Sequence, residues 1–494
     1  MTRKQNTPIE ISKDEFKRIG HQLIDSIADF LDGMDKKPVT TGESLQELQK
    51  HFNTSSLPEN GRPAKDVVSE AATLLMNHSL LNGHPRFMGY ITSSPAPIGM
   101  LADLLAAAVN PNVGAQILSP VATEIEKQTI KWLAEFIGVA GDYDGILVSG
   151  GNMANFTAFL AARTAKAPEN IKEKGLTGAS KSMIIYCSKT THTWVEKAAV
   201  LFGHGSSSIR WIQTDSKNRM DNKLLEQAIN EDLQKGHQPF IVIGTAGDVS
   251  TGVVDDLKGI AAICKSFDLW FHIDGAYGIP AAAVPELTQV FQGTSEADSI
   301  ALDPHKWLFS PLEAGCTLVK NSSHLTDAFS SHPEYYNFNN NENGLTRNYY
   351  EYGLQNSRGF RALKVWLALQ QVGKSGYVEM IREEMELSQL LFELAANHAE
   401  LEAITRNLSI TTFRYVPADG ADKNETWLNT LNENLLNALQ NNGEAFLSNA
   451  SVNGKYCLRA CIVNFRTSPQ DIEEIVEIVV REGRKVYQEL MQKS

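Results

Sequence analysis

Between residues 144 and 320 the chain keeps returning to one pattern. A short apolar run stops at glycine, serine, aspartate or histidine, and a stretch of helical periodicity follows. "GILVSGG", "SMIIYCS", "PFIVIGTAG", "LWFHIDGAYG" and "SIALDPH" read as strands, with "GCTLVK" after them. "NMANFTAFLAARTAK", "HTWVEKAAVLFG" and "DDLKGIAAICKSF" read as the helices between. Strands separated by helices predict an α/β fold: a mostly parallel central sheet with helices on both faces. In such sheets ligands collect at the carboxyl ends of the strands. Every unusual residue discussed below falls at such an end.

The flanking segments are simpler. "SKDEFKRIGHQLIDSIADFLD", residues 12–32, spaces Phe16, Ile19, Leu23, Ile27 and Phe30 as one helical face. "SPVATEIEKQTIKWLAEFIG" predicts a helix with Ser119 as cap and Pro120 in the first turn. Asn-rich "NNNENG", residues 339–344, reads as a surface loop. A long helical stretch from Gly359 leads to a small terminal domain with strand-like "SITTFRYV" and "YCLRACIVNF" and a final helix from Pro469. The expected division is an N-terminal helical segment over 1–83, a large domain over 84–373 and a small C-terminal α/β domain over 374–494.

A chain of 494 residues suits one large domain with smaller appendages. Net charge of −13 argues against a nucleic-acid or anionic-membrane partner, which needs a basic surface. The first residues lack the apolar core of a secretory signal. "IGMLADLLAAAV" is too short, and interrupted by Asp103, to span a bilayer. Five scattered cysteines read as reduced thiols, and the expected compartment is the cytoplasm.

Four features carry chemistry. Lys306 follows an apolar strand, between His305 and Trp307; a lysine in a partly apolar pocket becomes a nucleophile for carbonyl groups. Asp274 ends a strand before Gly275 and small Ala276, where a carboxylate can hold a heteroaromatic nitrogen protonated and a flat ring can lie close. "VSGGNMAN" joins a strand to a helix through Gly150 and Gly151, an anion site of exposed amides. It is neither a P-loop nor the dinucleotide fingerprint. His192 follows another strand and offers a flat imidazole for stacking. Each is common in a structural role. Together they meet the four needs of pyridoxal 5′-phosphate (PLP): a phosphate cradle, a stacking ring, a carboxylate for the ring nitrogen and an amine for the aldehyde.

With these residues in view, the chain resembles the group II PLP-dependent amino-acid decarboxylases, which act on aromatic amino acids, glutamate or cysteine sulfinate. "HPRFMGY", "SPVATEIE", "HIDGAYG" and "DPHKW" carry the resemblance, which runs from about residue 12 to the C-terminus. It implies the aspartate-aminotransferase type I fold of PLP enzymes and a homodimer with active sites at the interface, formed partly by the N-terminal segment. It implies that Lys306 bonds the cofactor's aldehyde carbon, Asp274 pairs with its ring nitrogen, His192 stacks on the ring and Ala276 lies beneath. Gly151, Asn152 and Met153 align with the phosphate turn, His305 lies beside it, and Ser357 reaches the phosphate from the partner subunit. Tyr335, in "SSHPEYYNF", aligns with the tyrosine that returns a proton to the substrate Cα.

Substrate choice stays open at this level. Tyr90 matches an aromatic pocket residue of the aromatic decarboxylases. "NPNVGAQILSPV", residues 110–121, is instead like the glutamate enzymes and puts Asn112 and Gly114 where the aromatic enzymes have a hydrophobic shelf. Arg459 aligns with an arginine that holds a substrate carboxylate in the acidic-substrate enzymes and occurs in others as well, so it does not decide. Asp248 stands where related chains carry a small or hydroxyl residue, so a carboxylate near the ligand, or one facing solvent, is expected. An aromatic substrate is slightly favoured over an acidic one. Oxidative deamination, which would keep Lys306 and Asp274 without needing Tyr335, and a binding protein that has lost its cofactor are the other readings.

Overall fold

The structure is a computed structural model that describes residues 7–52, 56–139, 141, 143–167, 171–176, 181–331, 346–418 and 424–493. Its larger sheet has seven strands: β1 (Asp144–Val148), β2 (Met183–Ser188), β3 (Ile209–Ile212), β4 (Gln238–Thr245), β5 (Trp270–Asp274), β6 (Ser299–Leu302) and β7 (Gly315–Val319). Their spatial order is β1-β7-β6-β5-β4-β2-β3. Strands β6, β5, β4, β2 and β3 pair in parallel, whereas β7 is antiparallel to both β6 and β1. Every strand except β7 therefore points the same way, and their carboxyl ends share one edge.

Alternation along the strands covers both faces. Met183, Ile185 and Cys187 of β2 join a core with Phe156 and Phe159 of helix Gly151–Lys166 and Val195 of helix Trp194–Leu201. Ile184 and Tyr186 point to the other core, with Leu225 and Ile229 of helix Asn222–Gln234 and Leu257 and Ile260 of helix Leu257–Phe267. Each such fully buried aliphatic side chain contributes about 1.5–3 kcal/mol by leaving water. Strand β3 escaped the sequence reading because its middle residues, Arg210 and Trp211, are not core residues. Arg210 instead holds Asp232 at 2.7 Å, and the Tyr186 hydroxyl donates to the same carboxylate.

The smaller sheet is antiparallel throughout. It contains β8 (Leu401–Asn407), β9 (Ile410–Tyr415), β10 (Ser448–Val452) and β11 (Lys455–Cys461), in the order β10-β11-β9-β8. Helices Glu425–Asn442 and Pro469–Lys493 complete its core. Helix Ala362–Asn397 bridges the two bodies and breaks at Gly373, whose φ of 71° and ψ of 168° no helix contains. Residues before the break, such as Val365, belong to the large core, and Leu391 and Ala395 to the small one. The segment around Met88 also joins the small body: the Met88 amide donates to the Phe446 carbonyl at 2.8 Å, and the Cys461 amide to the Met88 carbonyl.

Helix Lys13–Asp32 starts as expected, with the Ser12 hydroxyl accepting from the Glu15 amide. Helix Pro120–Phe136 does not. Ser119 occupies the cap position, but its hydroxyl donates to the Asn112 carbonyl at 2.8 Å, so it ties down the preceding loop and caps nothing. Among the described residues no helix is long and apolar enough to cross a membrane. All five cysteines are buried and unpaired. "NNNENG" and Tyr335 lie outside the described residues.

Candidate active site

A cavity of about 600 Å³ opens at the shared carboxyl edge of the large sheet. Its walls come from the turns after β1, β2, β4, β5 and β6, and from β10 and β11 of the small sheet. Lys306, Asp274, His192, Ala276, Gly151, Asn152 and Met153 all line it, together with Tyr90 and Arg459.

Lys306 sits in the turn after β6, four fully buried residues that fix its base. Its Nζ lies 3.3 Å from Oδ2 of Asp303. The amine is thus held by a carboxylate, a partner the sequence reading did not single out. Asp303 is 1 % exposed, lies 3.6 Å from His305 Nε2, and keeps its Oδ1 without a hydrogen-bond partner. Trp307 anchors the turn from below: its ring stacks on Tyr277 at 5.0 Å, and its indole N–H donates to the buried Glu384. His305 turns its Nδ1 to accept from the Ala314 amide at 3.0 Å, and burial holds its pKa down.

The glycine turn is shaped by this cluster. Gly150 has φ 138°, where a side chain is strained. A Cβ on Gly151 would lie 2.7 Å from Asp303 Oδ2 and 3.2 Å from the Ala276 Cβ. Glycine at 151 therefore lets the first turn of helix Gly151–Lys166 close over the Asp303 carboxylate. The amides at that helix start have no carbonyl a turn before them, and they face the cavity.

Asp274 ends β5 and is 6 % exposed. Its Oδ2 accepts from the indole N–H of Trp194 at 2.7 Å, and its Oδ1 from the Ala276 amide at 3.3 Å. Trp194 is fully buried and meets His272 edge-on at 5.8 Å. His272 in turn lies between Ser299 Oγ at 2.9 Å and Asn155 Oδ1 at 2.7 Å. Burial lowers its pKa to about 4, so a neutral imidazole backs the site. His192 accepts from the Trp194 amide through Nδ1 at 3.2 Å, which orients the ring. Its outer side is open to the cavity, yet the packing behind desolvates it. That desolvation lowers its pKa, against the pull of Asp274.

Arg459 reaches the cavity from β11. It is 3 % exposed, donates through one nitrogen to Ser448 Oγ at 2.8 Å, and leaves Nε and the other terminal nitrogen unpartnered. Tyr90, half in solvent with φ 52°, stands near Phe446, and its amide donates to Ser448 Oγ at 3.3 Å, the hydroxyl that Arg459 also holds.

His305 lies just behind Gly150 rather than in the lining, and the other sequence candidates stand elsewhere. Asn112 does not line the cavity of its own chain; its Oδ1 accepts from the Arg358 amide at 3.0 Å, and Gly114 packs against the Asn356 carbonyl. Ser357 is exposed and likewise outside the cavity. Asp248 corrects an expectation. It neither lines the cavity nor faces solvent: 1 % exposed, it accepts from the amides of Ser250, Thr251 and Val253 and from the Thr251 hydroxyl. It is the internal brace of the 248–253 turn.

The donor set fits PLP: an amine, a backbone anion cradle, an imidazole and a buried carboxylate held by an indole. Residues 46–416 match the pyridoxal-dependent decarboxylase conserved domain. The chain is 33% identical over 470 residues to an aromatic-L-amino-acid decarboxylase of Bacillus atrophaeus, covering 95% of both. It is 30% identical to tyrosine decarboxylase 3 of Petroselinum crispum, over 92% of this chain and 88% of that one. The crystal structure of Oryza sativa TDC with PLP and tryptamine superposes at TM-score 0.90 with 24% identity, over 97% and 99% of the two chains. The fold is the type I fold of PLP enzymes, the cofactor is PLP and the reaction is removal of an amino acid's carboxyl group; this chain belongs to the pyridoxal-dependent decarboxylase family.

Proposed function

We propose that the enzyme decarboxylates aromatic L-amino acids to the corresponding amines. The observation that carries this is Arg459. It is the one guanidinium lining the cavity among the described residues, and it is buried with two donors free. A buried cation of this kind calls for an anion. An aromatic amino acid brings one carboxylate and an apolar ring, which Tyr90, Ile91 and Val249 along the same wall can cover. An acidic amino acid brings two carboxylates, and the wall offers its second one no comparable partner. The similarity to decarboxylases named for aromatic substrates points the same way.

In this assignment Lys306 would bond the cofactor's aldehyde carbon and the helix-start amides of Gly151, Asn152 and Met153 would hold its phosphate, with His305 alongside. Asp274 would pair with the ring nitrogen, and the Trp194 indole fixes which way its carboxylate faces. His192 would stack on the ring, and small Ala276 would leave room for it. PLP supplies a cationic ring that accepts the electron pair released when the bond to the carboxylate breaks. Arg459 docks the carboxylate and so sets which substituent of Cα is aimed away from the ring plane. Tyr335 donates a proton to Cα once CO2 has left.

Of the boundaries in the division into residues 1–83, 84–373 and 374–494, the last coincides with the break at Gly373, while Tyr377 and Ile381 beyond it still pack in the large core and Met88 packs in the small one. A homodimer is supported by Leu101, Leu104, Leu105, Ile117, Leu118 and Val121, exposed together beside the 110–121 loop. The same dimer would cover Ser357 and Asn112 and bring them to the partner's site. Sedimentation should give twice the chain mass; a monomer at micromolar concentration would refute it. The unpaired cysteines fit a reducing compartment, the cytoplasm.

The test is product analysis. PLP-loaded enzyme, given Dopa, Tyr, Trp, Phe, Glu, Asp and cysteine sulfinate separately, should release amine from the aromatic set. Arg459→Met should lower kcat/KM by about 10- to 100-fold, the worth of a charge-assisted hydrogen bond. Amine from the acidic set alone would overturn the assignment.

A further inference from the structure

Outside the cavity lining, three metal-ligating side chains converge in the N-terminal segment. Glu43 immediately precedes the capping box of helix Leu45–Gln49. His51 follows that helix, and His78 is the last residue of helix Ala64–His78. Glu43 Oε2 lies 2.8 Å from His78 Nδ1, and Oε1 lies 3.4 Å from His51 Nε2. The two imidazole rings are 4.1 Å apart between centroids. One ligand atom from each residue lies within 4.8 Å of the other two. Nothing in the decarboxylation uses any of them.

We infer that Glu43, His51 and His78 form a binding site for one divalent transition-metal ion, of which Zn²⁺ is the best match. Two imidazoles and one carboxylate are a ligand set that suits zinc, and tetrahedral bonds of about 2.0–2.2 Å put neighbouring ligand atoms about 3.3–3.5 Å apart. The separation of 3.4 Å falls within that spacing and the one of 2.8 Å is shorter, so ordinary rotamer adjustment brings the three atoms around one ion. The side chains keep 22% to 35% of their surface, which gives the ion a way in and leaves its fourth position to water. Thr41 donates its hydroxyl to Glu43 Oε2 at 2.8 Å, the kind of outer partner that orients a carboxylate ligand. Without an ion, two close imidazoles gain little from each other and repel when both are protonated.

The ion's work would be mechanical. It would clip the 41–51 stretch to the end of helix Ala64–His78, two pieces that otherwise share few side-chain bonds.

The test uses untagged, full-length, PLP-loaded enzyme stripped of metal and titrated calorimetrically with ZnCl₂. One Zn²⁺ per chain should bind with micromolar affinity. Outer-sphere partners alone are worth about 10- to 100-fold in metal affinity, so His78→Ala and Glu43→Gln should each weaken uptake by at least about 10-fold. Zn²⁺ should also slow amide exchange over residues 41–52 in the wild type and not in His78→Ala. Absence of saturable uptake below about 1 mM, a range of merely incidental affinity, would overturn the site. So would uptake that both His51→Ala and His78→Ala leave unchanged. Retained PLP absorbance in the variants shows that they are folded.

Discussion

Lys306→Ala abolishes amine formation, lowering kcat by at least about 10⁴-fold, the scale on which covalent nucleophiles are lost. Two effects of the substitution have to be separated. Removing the amine also strips Asp303 of its ion-pair partner at 3.3 Å and leaves a carboxylate that is 1 % exposed without it. An unpaired buried carboxylate is costly, so the alanine variant could lose PLP through a distorted turn. Lys306→Arg resolves this. A guanidinium stays charged and can face Asp303, but it cannot bond an aldehyde carbon at neutral pH. The arginine variant should stay folded, bind PLP only reversibly, and yield no pyridoxyl-labelled peptide after borohydride reduction, whereas the wild type yields one at Lys306. Amine release by the arginine variant at a tenth of the wild-type rate or more would remove Lys306 from the chemistry.

A second substitution should change what is made rather than how fast. Tyr335→Phe in air converts the product from amine to aldehyde, CO2, ammonia and hydrogen peroxide. In the proposed assignment the phenol places a proton on Cα after CO2 departs. Without it, the electron pair left at Cα passes to O2. The balance is one amino acid, one O2 and one water giving one each of aldehyde, CO2, ammonia and H2O2. Peroxide and aldehyde should appear in equal amounts, and the amine fraction should fall from nearly all product to a minority. An unchanged amine yield would show that another group delivers the proton. Anaerobic reaction separates a stalled proton transfer from a general loss of activity, because only the former regains amine slowly when O2 is absent.

Much of this site was legible because its residues sit at abrupt changes in the chain. Lys306, Asp274 and the Gly150–Gly151 turn each follow an apolar strand that the eye finds at once, and a shared sheet edge does the rest. What stayed hidden is what depends on distant contacts. Asp303 was visible in "DPHKW", three residues before Lys306, but only the turn geometry folds its carboxylate back onto the amine. Trp194 gave no signal, since a tryptophan at the start of a helix looks like any core residue until its N–H meets Asp274. Arg459 was found by alignment, and the structure supplied its free donors. Asp248 stood out because related chains carry a small or hydroxyl residue there, and neither the ligand nor solvent is its partner: three backbone amides had already claimed it. Among the strands, β8 and β10 were missed for the reason that hid β3: half-polar segments lack a continuous apolar run.

The cavity is lined by two sheets that are separate in sequence, although Ile410 of β9 and Cys461 of β11 pack into the core of the larger one. The groups assigned to breaking the bond stand on the seven-stranded sheet, and Arg459 with Ser448 and Asn449 stands on the four-stranded one. Tyr277 joins them across the seam, its hydroxyl 2.6 Å from Ser409 Oγ. A lineage carrying this scaffold can therefore vary the side chains of β10 and β11 and try new substrates while the inherited reaction stays intact. Diversification of diet and conservation of chemistry are housed on different pieces of backbone.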